Sequence, residues 1–242
     1  MNIAIIIPCF NEEKEIRENC LKVQSYLNEH YFNSDYHFSL IVVNDGSSDK
    51  TEEVINGING IIPLTYKTNK GKGYAITYGF KYCLENIDFD YAIFMDADLS
   101  TNLDAIKPCL ESLSEGYDMV IGSRYDKGSK IVIKRPFIRA FVSKCSRLII
   151  KVMYQLGYND TQCGFKGLTK ETCSVLVNKS KMERFSFDVE WLYILKLNKK
   201  RVKVIPVTWL DDRESTVDPL KSSIRFFKDL FKIKKNKKDY YI

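Results

Sequence analysis

Two carboxylates separated by one small residue, Asp96-Ala-Asp98, end the apolar run at residues 91–95. Alternate side chains of an extended chain share a face, so both acids project to one side. Hard oxygen donors placed this way suit a single divalent cation, with phosphate oxygens completing its shell. A competing reading makes them part of a helix start, because Thr101 and Asp104 have capping-box spacing. An EF-hand is excluded. Thr101 stands where the turn glycine belongs and Lys107 where the final Glu belongs.

Further polar groups follow other apolar runs: Asn11-Glu12 after residues 3–8, Asp45 after 38–43, Lys72 after 63–66, and Ser123-Arg124 after 119–122. These runs read as strands, and continuous apolar strands are expected where both faces of a parallel sheet are covered. Residues 16–27, 73–85 and 137–156 read as helices. Asn11 is placed to cap the first, and Asp49 with Glu52 to form a capping box before another. Strand, helix and short turn in alternation predict an α/β domain with a mainly parallel, doubly wound sheet. Polar groups at the carboxyl ends of successive strands then share the crevice where such sheets bind ligands. Each could be a cap or a turn, but one shared ligand explains five together.

The chain has 242 residues, enough for one large α/β domain, and its 45% apolar content provides a core. Neither G-x-G-x-x-G nor a Walker lysine pattern occurs, which argues against a dinucleotide oxidoreductase or a P-loop NTPase. None of the seven cysteines are spaced as Cys-x-x-Cys, so they suggest buried reduced thiols rather than zinc ligands or disulfides. Met1 leads directly into an apolar strand ended by Pro8, unlike a signal peptide. No apolar run approaches the roughly 18 residues of a membrane span. The net charge is +6, and residues 220–242 alone carry eight basic side chains against two acidic ones, the same excess. The body is therefore near neutral and the tail basic, which predicts a local anionic contact rather than a nucleic-acid surface.

Taken in order, Pro8-Cys-Phe-Asn-Glu12, Val43-Asn-Asp-Gly-Ser-Ser-Asp49, Asn69-Lys-Gly-Lys-Gly73, Asp96-Ala-Asp98 and Gly122-Ser-Arg124 resemble the motifs of family 2 glycosyltransferases of GT-A fold. Asp160-Thr-Gln-Cys-Gly-Phe-Lys166, Phe185-Ser-Phe-Asp-Val-Glu-Trp191 and Ile205-Pro-Val-Thr-Trp209 are similar to the dolichyl-phosphate glucosyltransferase branch and its bacterial polyprenyl-phosphate relatives. The resemblance implies a nucleotide-sugar-binding half at 1–124, an acceptor-side half at 125–218 and a basic tail at 219–242. It implies that Pro8, Phe10, Glu12 and Asp45 hold the base and ribose, and that Asp98 ligates Mg²⁺ or Mn²⁺ with Asp96 near the metal and ribose. Relatives often carry Gln at position 100, where this chain has Ser100. Arg124 would face the diphosphate or an acceptor phosphate, with Arg139 and Ser143 forming a second phosphate site. Arg213 and Ser215 fall where relatives have a closing loop, although this chain reads Arg-Glu-Ser-Thr-Val in place of Gly-Ser-Lys.

The implied reaction is inverting transfer of a single hexose, glucose from UDP-glucose, to a polyprenyl or dolichyl phosphate. The Gln-x-x-Arg-Trp mark of processive synthases is absent. A phosphate acceptor is already anionic near neutral pH. A sugar hydroxyl would need a general base, for which Asp188 and Glu190 are the candidates. A saccharide or wall-polymer acceptor is the nearest alternative, followed by a sugar nucleotidyltransferase or a non-catalytic nucleotide-sugar binder. Leu220, Ile224, Phe227, Leu230 and Phe231 recur at helical spacing beside Lys221, Arg225, Lys228 and Lys232. Such a helix can lie on an anionic membrane or pack on the core. The expected location is cytoplasmic, peripherally attached to the cytoplasmic face of a membrane.

Overall fold

The apolar run that opens the chain becomes β1 (Asn2–Cys9), whose residues from Ile3 onward are all buried. The computed structural model describes residues 1–132, 137–210 and 219–242; of 137–142 and 219–224 it describes the backbone alone. After β1 come α1 (Ile16–Tyr31), β2 (His37–Asn44), α2 (Thr51–Asn56), β3 (Ile62–Thr65), α3 (Lys72–Asn86) and β4 (Tyr91–Met95). A 3₁₀ turn at Leu103–Ala105 leads into α4 (Ile106–Ser114), then β5 (Met119–Ser123), β6 (Lys130–Ile131), α5 (Phe137–Tyr154) and β7 (Phe165–Thr169). The remainder is α6 (Lys170–Lys179), α7 (Phe187–Leu197), β8 (Val202–Pro206), β9 (Thr208–Trp209) and α8 (Pro219–Lys235).

Seven strands form one sheet in the order β3-β2-β1-β4-β7-β5-β8, and β6 pairs with β9 apart from it. Every pairing in the large sheet is parallel except those of β7, which runs antiparallel to β4 and β5. One face carries Ile6, Val43, Phe80, Phe94 and Trp191 under α3, α5, α6, α7 and α8. The other carries Ile5, Ile7 and Val42 under α1, α2 and α4. Two covered faces explain why the strands read as unbroken apolar runs. The mainly parallel α/β architecture is as expected, but β6 to β9 do not stand out in the sequence. Lys166 and Gly167 inside β7 break the apolar pattern that identifies the other strands.

Three caps differ from expectation. Asn11 takes a left-handed conformation with φ +57°, and its side-chain oxygen accepts the Ser48 N–H at 2.9 Å, while α1 begins only at Ile16. Asp49 does not close a box with Glu52: it accepts from the Thr51 N–H at 3.0 Å and the Glu13 N–H at 3.2 Å, tying the β1–α1 and β2–α2 loops together. Thr101 bridges to Trp209 instead of capping, because the backbone next to β9 takes up the turn after β4.

Of the two placements open to the C-terminal helix, packing on the core accounts for one face. Phe226, Leu230 and Ile233 of α8 are buried, as is Tyr240 beyond it, and the Tyr154 hydroxyl donates to the Leu230 carbonyl. Of the expected stripe, Leu230 faces the core, Phe227 is half-buried and Phe231 is exposed. The side chains of Leu220 and Ile224 lie outside the described residues. Leu230→Ala should therefore cost about 2–5 kcal/mol in urea unfolding, the range for emptying a packed core position. A segment attached only loosely would leave the midpoint unchanged.

Candidate active site

The carboxyl ends of β1, β2, β4 and β5 deliver Phe10, Asp45, Asp96 and Arg124 to one edge of the sheet, as parallel strands must. Because β7 runs the other way, the loop entering it arrives at the same edge. Met95 pairs with Phe165, and the Asp96 N–H donates to the Gly164 carbonyl at 3.1 Å. The fit is close enough to dictate residue type: a Cβ on Gly164 would lie 1.9 Å from Asp96 Oδ2.

Asp96 and Asp98 lie in a tight turn rather than on the strand itself. The Leu99 N–H returns to the Asp96 carbonyl at 3.1 Å, and Leu99 has φ +50°. Buried Asn19 of α1 donates to the Ala97 carbonyl at 3.0 Å, and the Leu210 N–H holds the Ser100 carbonyl at 2.8 Å. Asp96 forms an ion pair with Lys72, the first residue of α3, while Asp98 accepts the Ser100 N–H at 2.9 Å. Burial, and after it the Asp96 charge, raise the Asp98 pKa above the ordinary carboxylate value. Burial opposes the Lys72 ammonium, but Asp96 and Asp188 outweigh it and hold Lys72 above its usual value. The donor set consists of oxygens, and the repulsion between its two carboxylates is what a hard divalent cation would relieve, so the pair fits Mg²⁺ or Mn²⁺. Among the described residues no three His, Cys, Asp or Glu side chains converge on one point.

The remaining expected residues divide into two groups. Pro8 is buried within β1, whereas the Phe10 ring is 43% exposed at the end of the strand. The Glu12 N–H donates to Thr51 Oγ1 at 2.8 Å, fixing the loop that carries its side chain. Asp45, expected beside the base and ribose, is buried and bonded to the loop that follows β3. Its Oδ1 accepts the Tyr66 hydroxyl at 2.8 Å and the Lys70 N–H at 2.8 Å; its Oδ2 accepts Asn69 Nδ2 at 3.0 Å and the Gly71 N–H at 2.8 Å. With four donors it anchors the Asn69–Gly73 loop. Gly71 in that loop has φ +110°, a region closed to other residues.

Arg124 is likewise not directed into open space. Its Nε and Nη2 grip Asp160 at 2.7 and 2.8 Å, with side-chain exposures of 9% and 1%. Burial would raise the Asp160 pKa, but the Arg124 hydrogen bonds and charge hold it below the ordinary carboxylate value. Ser143 is 3.4 Å from the Tyr125 hydroxyl, and the Arg147 guanidinium stacks on the Tyr125 ring at 3.6 Å. The Arg139 side chain, Arg213 and Ser215 lie outside the described residues.

Both candidate bases are occupied. Asp188 is ion-paired with Lys166, which is fully buried and also donates to the Cys163 carbonyl at 2.8 Å. Glu190 accepts the Lys181 N–H at 3.0 Å, the Met182 N–H at 2.9 Å and the Tyr240 hydroxyl at 2.5 Å. Sequence reasoning assigns no role to Asp160, Gly164 and Lys166. Their signal is the Asp160–Lys166 motif itself, a polar segment enclosing a glycine just before an apolar stretch. The cysteines fit the reading of buried thiols: all seven are free, and only Cys145 is partly exposed.

The acid turn, the glycine-bearing loop at the start of α3 and the sheet edge they share define a sugar-transfer fold, and the sequence model described as Glycosyl transferase family 2 matches residues 4–176. The chain belongs to that family and is a glycosyltransferase. It is 29% identical to a dolichyl-phosphate beta-glucosyltransferase of Trichomonas vaginalis over 243 residues, covering 96% of this chain and 72% of the relative. It is also 29% identical to the Homo sapiens dolichyl-phosphate beta-glucosyltransferase, covering 96% and 74%. Among solved structures it resembles glucosyl-3-phosphoglycerate synthase of Mycobacterium tuberculosis, crystallised with Mn²⁺, UDP-glucose and phosphoglyceric acid. The TM-score is 0.68 at 19% identity, covering 96% of this chain and 79% of that one. This similarity establishes the GT-A-like fold.

The depressed Asp160 pKa makes a pH prediction. A lowered folded-state pKa contributes stability that is present above the unfolded value, about 3.9, and is lost as pH falls toward the folded one. Acid unfolding followed by circular dichroism should show stability falling below about pH 4, and Asp160→Asn should flatten that limb. The same variant should cost roughly 3–5 kcal/mol at neutral pH, because it leaves the Arg124 charge buried without its partner.

Proposed function

We propose that the chain transfers one glucose unit, with inversion, from UDP-glucose to a polyprenyl or dolichyl phosphate. The observation that carries the choice of acceptor is the occupation of both candidate bases. Asp188 is ion-paired through Oδ1 with buried Lys166, and Glu190 is saturated by two N–H groups and a hydroxyl. A hydroxyl acceptor needs a carboxylate to take its proton, whereas a phosphate oxygen attacks as the anion it already is. The names of the relatives agree with this acceptor, and UDP-glucose is the donor bound in the structural neighbour.

In this reading Phe10 and Glu12 hold the uracil and ribose, a ring for stacking beside an acceptor of imide and hydroxyl protons. Lys72 meets the diphosphate at the first turn of α3, where the positive end of the helix dipole also favours anions. Asp98 and Asp96 hold Mg²⁺ or Mn²⁺, which neutralises charge on the departing nucleoside diphosphate. Tyr125, Ser143 and Arg147 form the acceptor side, with Arg124 held behind them by Asp160. Residues 1–124 thus serve the donor and 125–218 the acceptor.

Radiolabelled UDP-glucose with Mn²⁺ or Mg²⁺ should give an organic-extractable product that depends on added polyprenyl phosphate. Asp98→Ala should lower its rate about a hundredfold or more, as removal of a charge-stabilising group does elsewhere. Label appearing only in a water-soluble saccharide would overturn the acceptor.

The exposed face of the tail supports peripheral attachment to a membrane. No described helix is long and apolar enough to cross one, but Phe231 is 69% exposed among Lys228, Lys232, Lys234 and Lys235. Basic residues near an anionic surface contribute about 1 kcal/mol each. Reversing Lys228, Lys232 and Lys235 to Glu should therefore weaken sedimentation with phosphatidylserine-containing vesicles by at least roughly tenfold, and unchanged sedimentation would remove this part of the reading.

A further inference from the structure

The donor loop at Asn69–Gly73 is supported from two sides. Asp45 holds one side, and the turn ahead of α7 presses on the other. There the Glu183 carbonyl accepts the Tyr74 N–H at 2.8 Å. A Cβ on Gly71 would meet that carbonyl at 2.8 Å, and one on Gly73 would meet the Met182 carbonyl at 2.8 Å. Backbone lies against backbone on both sides of Lys72, so a shift of this turn is a shift of Lys72.

What fixes the turn is Glu190, whose carboxylate receives the N–H groups of Lys181 and Met182. What completes Glu190 is Tyr240, a fully buried ring from the C-terminal segment that places its hydroxyl 2.5 Å from Oε1. Two further contacts join the same segment to the same turn: the Ser186 hydroxyl donates to buried Asp229 at 2.9 Å, and Lys181 pairs with Asp239. A buried carboxylate that loses a donor redistributes its remaining hydrogen bonds, and here those bonds hold the turn.

We propose that Tyr240 is a positioning residue for the nucleotide-sugar donor, acting through Glu190 and the turn at 181–184 on the backbone that carries Lys72. The C-terminal segment is then part of the donor site's support, about fifty residues along the chain from the carboxylate it completes. The inference rests on the donor reading given above.

Tyr240→Phe keeps the ring and removes only the hydroxyl. With Mn²⁺ present, UDP affinity by calorimetry should weaken about fivefold, and the donor KM should rise to match, while the acceptor KM stays at its wild-type value. Asn198→Ala is the structural control, because Asn198 Nδ2 also pins this segment, at the Tyr240 carbonyl 2.8 Å away, without leading to Glu190. It should lower the melting temperature and leave UDP affinity unchanged. If Tyr240→Phe fails to fold, Glu190→Gln, which retains the shape, reads the same link and should show the same donor-specific loss. Wild-type UDP affinity in the Tyr240 variant, or an equal donor loss in Asn198→Ala, overturns the proposal. Failure of the wild type itself to bind UDP overturns the donor reading and the proposal with it.

Discussion

The site depends on one close approach: the acid turn after β4 lies against a residue with no side chain. Gly164 accepts the Asp96 N–H and leaves the space that the Asp96 carboxylate fills, where a Cβ would sit 1.9 Å from it. That approach exists because β7 enters the sheet antiparallel between β4 and β5. A parallel strand there would send its preceding loop to the opposite edge, and the turn would lose its backbone partner. The antiparallel insertion therefore brings Gly164 against Asp96, Cys163 against Thr101 and Lys166 opposite Phe94, residues some sixty to seventy places earlier in the chain.

Around this contact the charges are arranged as mutual counterions. Arg124 is matched by Asp160, Lys166 by Asp188 and Lys72 by Asp96, leaving Asp98 with a backbone N–H and a raised pKa. The first two pairs are buried and recover at best part of their desolvation cost, so net stability is weak grounds for keeping them. Their effect here is to fix which charges remain available to a ligand. Asp188 is paired with Lys166, Arg124 is turned onto Asp160, and the Asp96–Asp98 turn keeps the residual negative charge that a cation would meet.

The Asn69–Gly73 loop shows the same mutual satisfaction on the backbone. Asp45 fills all its acceptor sites with Tyr66, Asn69, Lys70 and Gly71, and the turn near Glu190 closes the other side. Glycines at 71 and 73 are required because carbonyl groups approach their Cα atoms too closely for a side chain. Lys72 projects from between them at the start of α3, so a rigid backbone presents an otherwise flexible side chain.

Much of this architecture is legible in the order of the amino acids. Unbroken apolar runs at β1, β2 and β4 announce strands covered on both faces, and the alternation with helices announces a mainly parallel sheet, because these patterns are local and periodic. The acid pair and the glycine-bearing loop are visible for the same reason: residues one or two apart form the unit. Only the tertiary structure shows that β7 is a strand, since a buried lysine and a glycine break its pattern and that lysine is made tolerable by Asp188 and the Cys163 carbonyl. Only the fold reveals that Asp45 and Arg124 hold the protein's own backbone and side chains, or that Tyr240 completes Glu190. Sequence determines which groups are present and how neighbours are oriented. Which donor meets which acceptor across dozens of residues depends on strand order and direction, because partners are chosen by proximity in space.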